Sequence, residues 1–218
     1  MTERTPRGRP PVPLEKILST AQKIVEKDGP EALSLRNLAT RLKSGTATLY
    51  RHFSGRDDLV AQIVDRIFGE IADYREELNG ATWQKACRII AHSMLDVLEH
   101  HQGAVPLLLE IVPNGPNTMR QREHAIGALL AGGLPPAFAA RMYTTLAHYV
   151  LGFAVQLSQQ VTQNDNRSIS VSFQSISQSE FPAVYTVKDE LPIPLKEEFS
   201  FGLELMITGL SAQLNCAE

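Results

Sequence analysis

The sequence predicts an all-α protein in two parts, a compact N-terminal bundle of short helices and a larger C-terminal helical bundle. Three observations carry that prediction. Apolar residues recur at i, i+3/i+4 and i+7 spacing along most of the chain. Clusters such as Asp28-Gly29-Pro30, Asn79-Gly80 and Gly132-Gly133 stop each periodic run where a helix would end. With 43% apolar residues in 218, the chain can bury a real core.

Residues 1–13 (MTERTPRGRPPVP) hold four prolines and three arginines, a composition that cannot pack a core and predicts a flexible basic arm. A first helix opens after Pro13 and buries Ile17, Leu18, Ala21, Ile24 and Val25. Ser34 stands where an N-cap belongs, and Leu35, Leu38, Ala39 and Leu42 form the buried stripe of a short second helix. Lys43-Ser44-Gly45 breaks it. Thr46 to Phe53 reads as a third short helix. Ser54-Gly55-Arg56 leads into a fourth, with Asp57 and Asp58 in the first turn, where carboxylates complement the helix dipole. The fourth helix is expected to run to about Leu78.

Thr82 to about His101 is helical in period, with Trp83, Ala86, Ile89, Ile90, Ser93, Met94, Val97 and Leu98 on one side. Val105–Val112 is a short apolar stretch closed by Pro113, and Thr118–Ala131 reads as another helix. Pro135 or Pro136 opens a long helix with Phe138, Met142, Leu146, Tyr149, Val150, Phe153 and Leu157, apolar around much of its circumference. Residues 162–195 are polar and serine-rich and are expected to be mobile. Ile169, Val171 and Phe173 alternate like a strand, while Ile169, Phe173 and Ile176 fit a helix face, so periodicity leaves both open. The final helix, Lys196 to about Asn215, carries Phe199, Leu203, Met206, Leu210 and Leu214 on one seam. Gly202 and Gly209 lie beside that seam, seven residues apart. Glycine costs roughly 1 kcal/mol inside a helix, so two on one line suggest that another backbone comes close.

The formal charge is −3, yet residues 1–56 contain 11 basic and 5 acidic residues, a net +6 that leaves −9 for the rest. Such asymmetry suits a polyanion-binding head on an acidic body. Within that head, Ser34–Phe53 (SLRNLATRLKSGTATLYRHF) has the form of a helix-turn-helix. Leu35, Leu38, Ala39 and Leu42 pack one helix against Leu49 and Phe53 of the next, which leaves Thr46, Ala47, Thr48, Tyr50, Arg51 and His52 outward or at its N-terminus. Threonines there reach base edges or phosphates, Tyr50 and His52 donate to phosphate oxygens, and Arg51 suits guanine readout or a backbone contact. The candidate DNA-binding residues are therefore Ser34, Arg36, Lys43, Ser44, Thr46, Thr48, Leu49, Tyr50, Arg51, His52 and Arg56. Arg7 and Arg9 join them from the arm. Arg7-Gly8-Arg9-Pro10 has the form of an AT-hook core, which enters a narrow minor groove, and equally of a basic tail that attracts phosphates non-specifically.

The run Thr48-Leu49-Tyr50-Arg51-His52-Phe53, followed by Arg56-Asp57-Asp58-Leu59, resembles the TetR family of bacterial transcriptional regulators over residues 14–70. Lys43-Ser44-Gly45 departs from that family's usual small-aliphatic turn. His101-Gln102-Gly103-Ala104, Leu146–Phe153 and Phe201–Leu210 resemble the C-terminal domain of the tetracycline repressor group. The resemblance implies an N-terminal three-helix helix-turn-helix DNA-binding domain plus a C-terminal helical bundle for ligand binding and dimerisation. The expected boundaries are an arm at 1–13, the DNA-binding domain at 14–56, a linking helix at 57–78 and the C-terminal domain at 79–218. In that family the long eighth helix and the last helix pair with their copies in a four-helix bundle, which implies a homodimer reading a palindromic double-stranded operator and would account for Gly202 and Gly209.

At the group's drug-contacting positions this chain carries Ala72, Ile90, Met94 and Ala125 in place of polar or aromatic residues. The stretch Leu107–Val112 lacks the group's histidine, threonine and arginine, and His148 is retained. A magnesium–tetracycline effector is therefore not expected. The resemblance implies instead a small-molecule effector in a more apolar cavity lined by Phe68, Ala72, Ile90, Met94, Leu107, Leu108, Ala125, His148, Leu151 and Phe173.

Cys87 and Cys216 are far apart and lack metal or CxxC spacing, which fits a reducing compartment. No uncharged run approaches the ~20 residues needed to cross a bilayer, and a cytoplasmic protein with no membrane partner is expected. No G-x-S-x-G, Walker, G-x-G-x-x-G or H-E-x-x-H motif is present, so neither an enzyme nor a cofactor or metal is expected. The alternative is an architectural minor-groove DNA-binding protein without an effector. It does not explain some 150 residues of apolar helices behind the head.

Overall fold

A computed structural model of the chain describes residues 12–71, 74–159 and 163–216, with side chains in the helix at 163–174 described from Ile169 onward. The candidates Arg7, Arg9 and Ala72 lie outside the described residues, as does most of the expected arm. The described residues contain helices and turns with no strand. In chain order the α-helices are α1 (Leu14–Asp28), α2 (Leu35–Arg41), α3 (Thr46–Leu49), α4 (Arg56–Phe68), α5 (Arg75–Leu78), α6 (Trp83–His100), α7 (Pro116–Ala131), α8 (Pro136–Ser158), α9 (Gln163–Gln174), α10 (Pro182–Val187) and α11 (Leu195–Asn215). A 3₁₀ segment, Gln102–Leu109, follows α6. The chain forms two compact units, one of Met1–Ile71 with His100–Glu123 and one of Ala72–Glu99 with His124–Glu218. Residues 100–123 thus group with the N-terminal residues, which no local pattern announced.

The first unit is built from short amphipathic helices with specific ends. Pro13 sets the entry to α1, and Ile17 N–H donates to its carbonyl at 3.1 Å. Gly29, at φ 84°, ends α1 by donating to Val25 O. That left-handed turn is a conformation glycine adopts without steric cost. Ile17, Leu18, Ala21, Ile24 and Val25 are buried as the spacing predicts, with Leu35, Leu38, Ala39, Leu49 and Phe53. Leu42, expected in the same stripe, is only half-buried because the chain turns away there.

Two helix lengths differ from the sequence reading. The third helix is regular only over Thr46–Leu49 and continues as turns through His52. The linking helix expected over 57–78 stops at Phe68, where Gly69 N–H donates back to Asp65 and Arg66 carbonyls, and α5 is a separate single turn. Tertiary packing accompanies the break. Asn117 of the N-terminal turn of α7 packs so close to Gly69 that a Cβ there would strike its side-chain amide. The Asp65 carboxylate caps that same turn, accepting from Thr118 N–H at 2.9 Å, Thr118 Oγ1 at 3.1 Å and Asn117 N–H at 3.3 Å. Thr118 is 2% exposed, and this carboxylate satisfies its hydroxyl in place of water.

In the second unit α6 buries Trp83, Ala86, Cys87, Ile90 and Met94, α8 buries Met142, Leu146, Val150 and Phe153, and α11 buries Phe199, Leu203 and Ile207. Phe199 stacks on Tyr149 at 5.2 Å between ring centres and sits edge-on to Phe153 and His92, each at 5.3 Å. The Tyr149 hydroxyl donates to Phe199 O at 2.7 Å and occupies the space a Cβ at Gly202 would need. Gly202 is therefore required by this chain's own Tyr149, where the sequence suggested another backbone. Gly209 meets nothing within 4 Å of its missing Cβ. The 162–195 segment, expected to be mobile, contains α9 and α10. Between the two patterns left open there, helix prevails.

Candidate nucleic-acid interface

The turn between α2 and α3 orients the interface. Ser34 Oγ accepts the Asn37 N–H at 3.1 Å, the N-cap the sequence predicted. After α2 the chain reverses through Lys43 at φ 50°, with Ser44 N–H donating to Ala39 O at 2.9 Å. Left-handed φ on a side-chain-bearing residue costs about 1–3 kcal/mol. Ser44 Oγ is buried with no hydrogen-bond partner. Both costs fall in the turn that orients α3.

Beyond the turn, Leu49 (0% exposed) and Phe53 (1%) anchor α3 and its exit in the core. Thr46, Ala47, Tyr50 and Arg51 form the opposite, exposed face, and Thr48 and His52 flank it half-buried. Tyr50 is 61% exposed, so its ring and hydroxyl are open to another molecule. Arg36 and Lys43 are exposed on α2 and the turn, next to this face in sequence.

Three candidates are corrected. Ser44 turns its hydroxyl into the protein and spends its N–H on Ala39 O. Leu49 is wholly buried and packs α3 instead of touching DNA. Arg56 is held by the protein itself: its guanidinium forms a two-point ion pair with Glu110, and its Nε–H donates to Leu33 O at 3.2 Å. The hydrogen bond to Glu110 raises its pKa above the ordinary arginine value. Glu110 lies 54 positions away in the chain, which is why no sequence pattern exposed the pairing. In the first turn of α4, Asp58 ties the chain before the helix to the turn that follows. It accepts the Ser54 N–H at 2.9 Å and a Gln62 amide hydrogen at 3.0 Å, and those bonds, the Gln62 bond foremost, lower its pKa.

The expected ligand residues divide. Phe68, Leu107 and Leu108 are buried in the first unit, and Ile90, Met94 and Ala125 in the second. Leu151 and Phe173 are half-buried. His148 is exposed, away from the buried Met142, Leu146 and Val150 stripe of α8, so it is not part of the core of its unit. Burial pushes the Cys87 thiol up to about 12, which leaves it inert as a nucleophile at neutral pH. Among the described residues no helix is long and apolar enough to cross a membrane.

A short helix anchored by its buried face behind an N-capped partner, with a tyrosine, an arginine and threonines facing outward, defines a helix-turn-helix transcriptional regulator. The particular family follows from comparison with known proteins. Residues 17–63 match the model of bacterial regulatory proteins of the tetR family, and residues 77–214 match the tetracyclin repressor-like C-terminal domain. The chain belongs to the TetR family. It is 26% identical over 212 residues to an HTH-type transcriptional regulator of Saccharopolyspora erythraea, covering 96% of this chain and 89% of the relative. It is also 26% identical over 202 residues to the class E tetracycline repressor protein of Escherichia coli, covering 93% and 92%. Among solved structures, apo ActR of Streptomyces coelicolor superposes with a TM-score of 0.83 at 26% identity, covering 97% of this chain and 100% of that one. ActR has also been solved in complex with actinorhodin.

Proposed function

We propose that this chain is a ligand-responsive repressor that binds a palindromic operator as a homodimer and leaves it when a small, largely apolar molecule occupies the C-terminal body. The observation that carries the reading is the outward face of Thr46, Ala47, Tyr50 and Arg51, fixed from behind by Leu49 and Phe53. In a major groove this face puts Thr46, Thr48 and Arg51 toward base edges, and Tyr50 and His52 toward phosphates. Ser34, Arg36 and Lys43 add backbone contacts from α2 and the turn, while Arg56 stays with Glu110.

The dimer reading is supported by α11, where Phe201 (66% exposed) and Leu205 (57%) share a stripe with Thr208 and Ala212 beside the open Gly209. A copy of α11 packed there would cover an apolar face that otherwise meets water. His148 and Gly152 are exposed on α8 in the same way and suit that interface. The effector reading rests on the family and on ActR, a relative solved with a bound small molecule. Ile90, Met94 and Ala125 offer no charge, so the partner they suit is apolar. Such a molecule weakens operator binding only through its differential affinity for two conformations of the dimer, one of which holds the heads at a spacing that no longer fits.

Footprinting on genomic fragments tests the proposal. A discrete palindromic site supports it, and a sequence-blind shift that grows with DNA length supports the architectural alternative. Tyr50→Ala is expected to abolish operator protection while dimerisation and thermal stability persist. Loss of all three would make Tyr50 a folding residue. A thermal-shift screen of lipophilic compounds, followed by operator release, tests the effector.

A further inference from the structure

His101 sits just past α6 and faces two carboxylates. Its Nε2 lies 2.8 Å from Glu70 Oε2, beyond the end of α4, and its Nδ1 lies 3.2 Å from Glu26 Oε1 on α1. Nδ1 has a second neighbour, the Gln22 amide nitrogen at 3.1 Å. These neighbours make opposite demands. A carboxylate at each nitrogen requires two N–H donors, which only the imidazolium provides, whereas the Gln22 amide needs a bare Nδ1 lone pair. The Gln22 amide cannot turn to suit both, because its oxygen accepts the Arg66 Nε–H at 3.1 Å.

We infer that His101 is a proton-operated clasp within the DNA-binding unit: protonated, it ties Glu26 of α1 to Glu70 beyond α4, and neutral, it drops Glu26 and accepts from Gln22. The clasp closes on tightly packed backbone. Glu26 Oε2 accepts the Gly103 N–H at 3.2 Å, and a Cβ on Gly103 would come within 2.7 Å of Glu26 Cα. The charged groups around the ring come from each element packed on it. Glu26 lies on α1, Glu70 beyond the end of α4, and Arg66 on α4, its Nε 3.9 Å from Glu70 Oε1 and its Nη1 on Glu15 of α1. His100, next in the chain, is exposed. The hydrogen bond to Glu26 is the largest influence on the ring and raises its pKa; desolvation opposes it, and Glu70 adds to the rise. A histidine raised on folding contributes stability that is fully present below its unfolded value of about 6.5. That contribution is lost as pH climbs through the folded value. The tie between α1 and the 3₁₀ segment therefore slackens toward alkaline pH.

The test is an imidazole NMR titration of the full chain from about pH 5.5 to 9, with the His101 signal identified by its loss in His101→Gln. Its midpoint is expected above about 6.5, to fall in Glu26→Gln and in Glu70→Gln, and to rise in Gln22→Ala, which removes the donor that serves the neutral ring. Urea unfolding is expected to show the stability gap between wild type and His101→Gln narrowing from pH 6 to pH 8.5, about the window in which histidine titrates. A midpoint at or below the ordinary value, indifference to both glutamate variants, or a gap constant with pH overturns the clasp. If His101→Gln does not fold, the wild-type signal is assigned through the backbone and the two glutamate variants decide.

Discussion

Lys43 and Ser44 are the two residues whose local cost is plain in the structure. The left-handed φ of Lys43 and the unpartnered Ser44 hydroxyl both lie in the helix-turn-helix turn. Lys43→Gly is expected to raise stability by about 1 kcal/mol by relieving the backbone. Ser44→Ala is expected to gain about 1 kcal/mol by removing a buried group that has exchanged water for nothing. Urea unfolding of the two single variants checks both. The opposite sign is expected at Ser34, whose hydroxyl caps α2. Ser34→Ala should cost about 1 kcal/mol. The cap was legible in the sequence because capping is local, a serine three residues before Asn37. The unpartnered Ser44 hydroxyl was not, because burial belongs to the packed turn and not to the residue type.

At the scale of elements, the two glycines of α11 separate what a helix needs from what its neighbours need. Gly202 is filled by the Tyr149 hydroxyl of α8. Gly202→Ala should push that hydroxyl off Phe199 O and destabilise the second unit by roughly 1–3 kcal/mol, read by urea unfolding. Gly209 has open space and should behave the other way. Gly209→Ala is expected to add about 1 kcal/mol of helix propensity to the folded chain. It should also weaken the proposed dimer, as sedimentation equilibrium would show, because the added methyl holds the copy of α11 away. Both glycines stand on the same helical pattern, so sequence alone could not assign them different causes. The interruption of α4 at Phe68 is similar: the run to Leu78 stays helical in period, and the packing of Asn117 against Gly69 accompanies its end.

For the molecule as a whole, the charge split makes the proposed operator binding an electrostatic event. Binding should weaken steeply with salt, log K falling by about 0.9 per phosphate neutralised in each tenfold rise in concentration. Arg36→Ala, at a backbone contact, should lower that slope by about one, whereas Arg51→Ala, at the base edges, should relax sequence preference. Fluorescence anisotropy across a salt series measures it, and Arg56→Ala provides the contrast. Since Arg56 is committed to Glu110 and Leu33 O, its loss should lower stability and leave the salt slope nearly unchanged.

Local pattern alone determined that this protein is helical, where α1, α2, α6, α8 and α11 lie, and that residues 34–53 form a helix-turn-helix with Tyr50 outward. Those features follow from apolar periodicity, caps and Gly/Pro stops, all of which act within a few residues. Tertiary structure alone decided that Leu49 is core, that Arg56 serves Glu110, that α4 ends at Phe68, that residues 100–123 group with the head, and that His101 faces two carboxylates. Each depends on groups brought together from distant points in the chain, and pairings made by packing leave no period in the sequence to read.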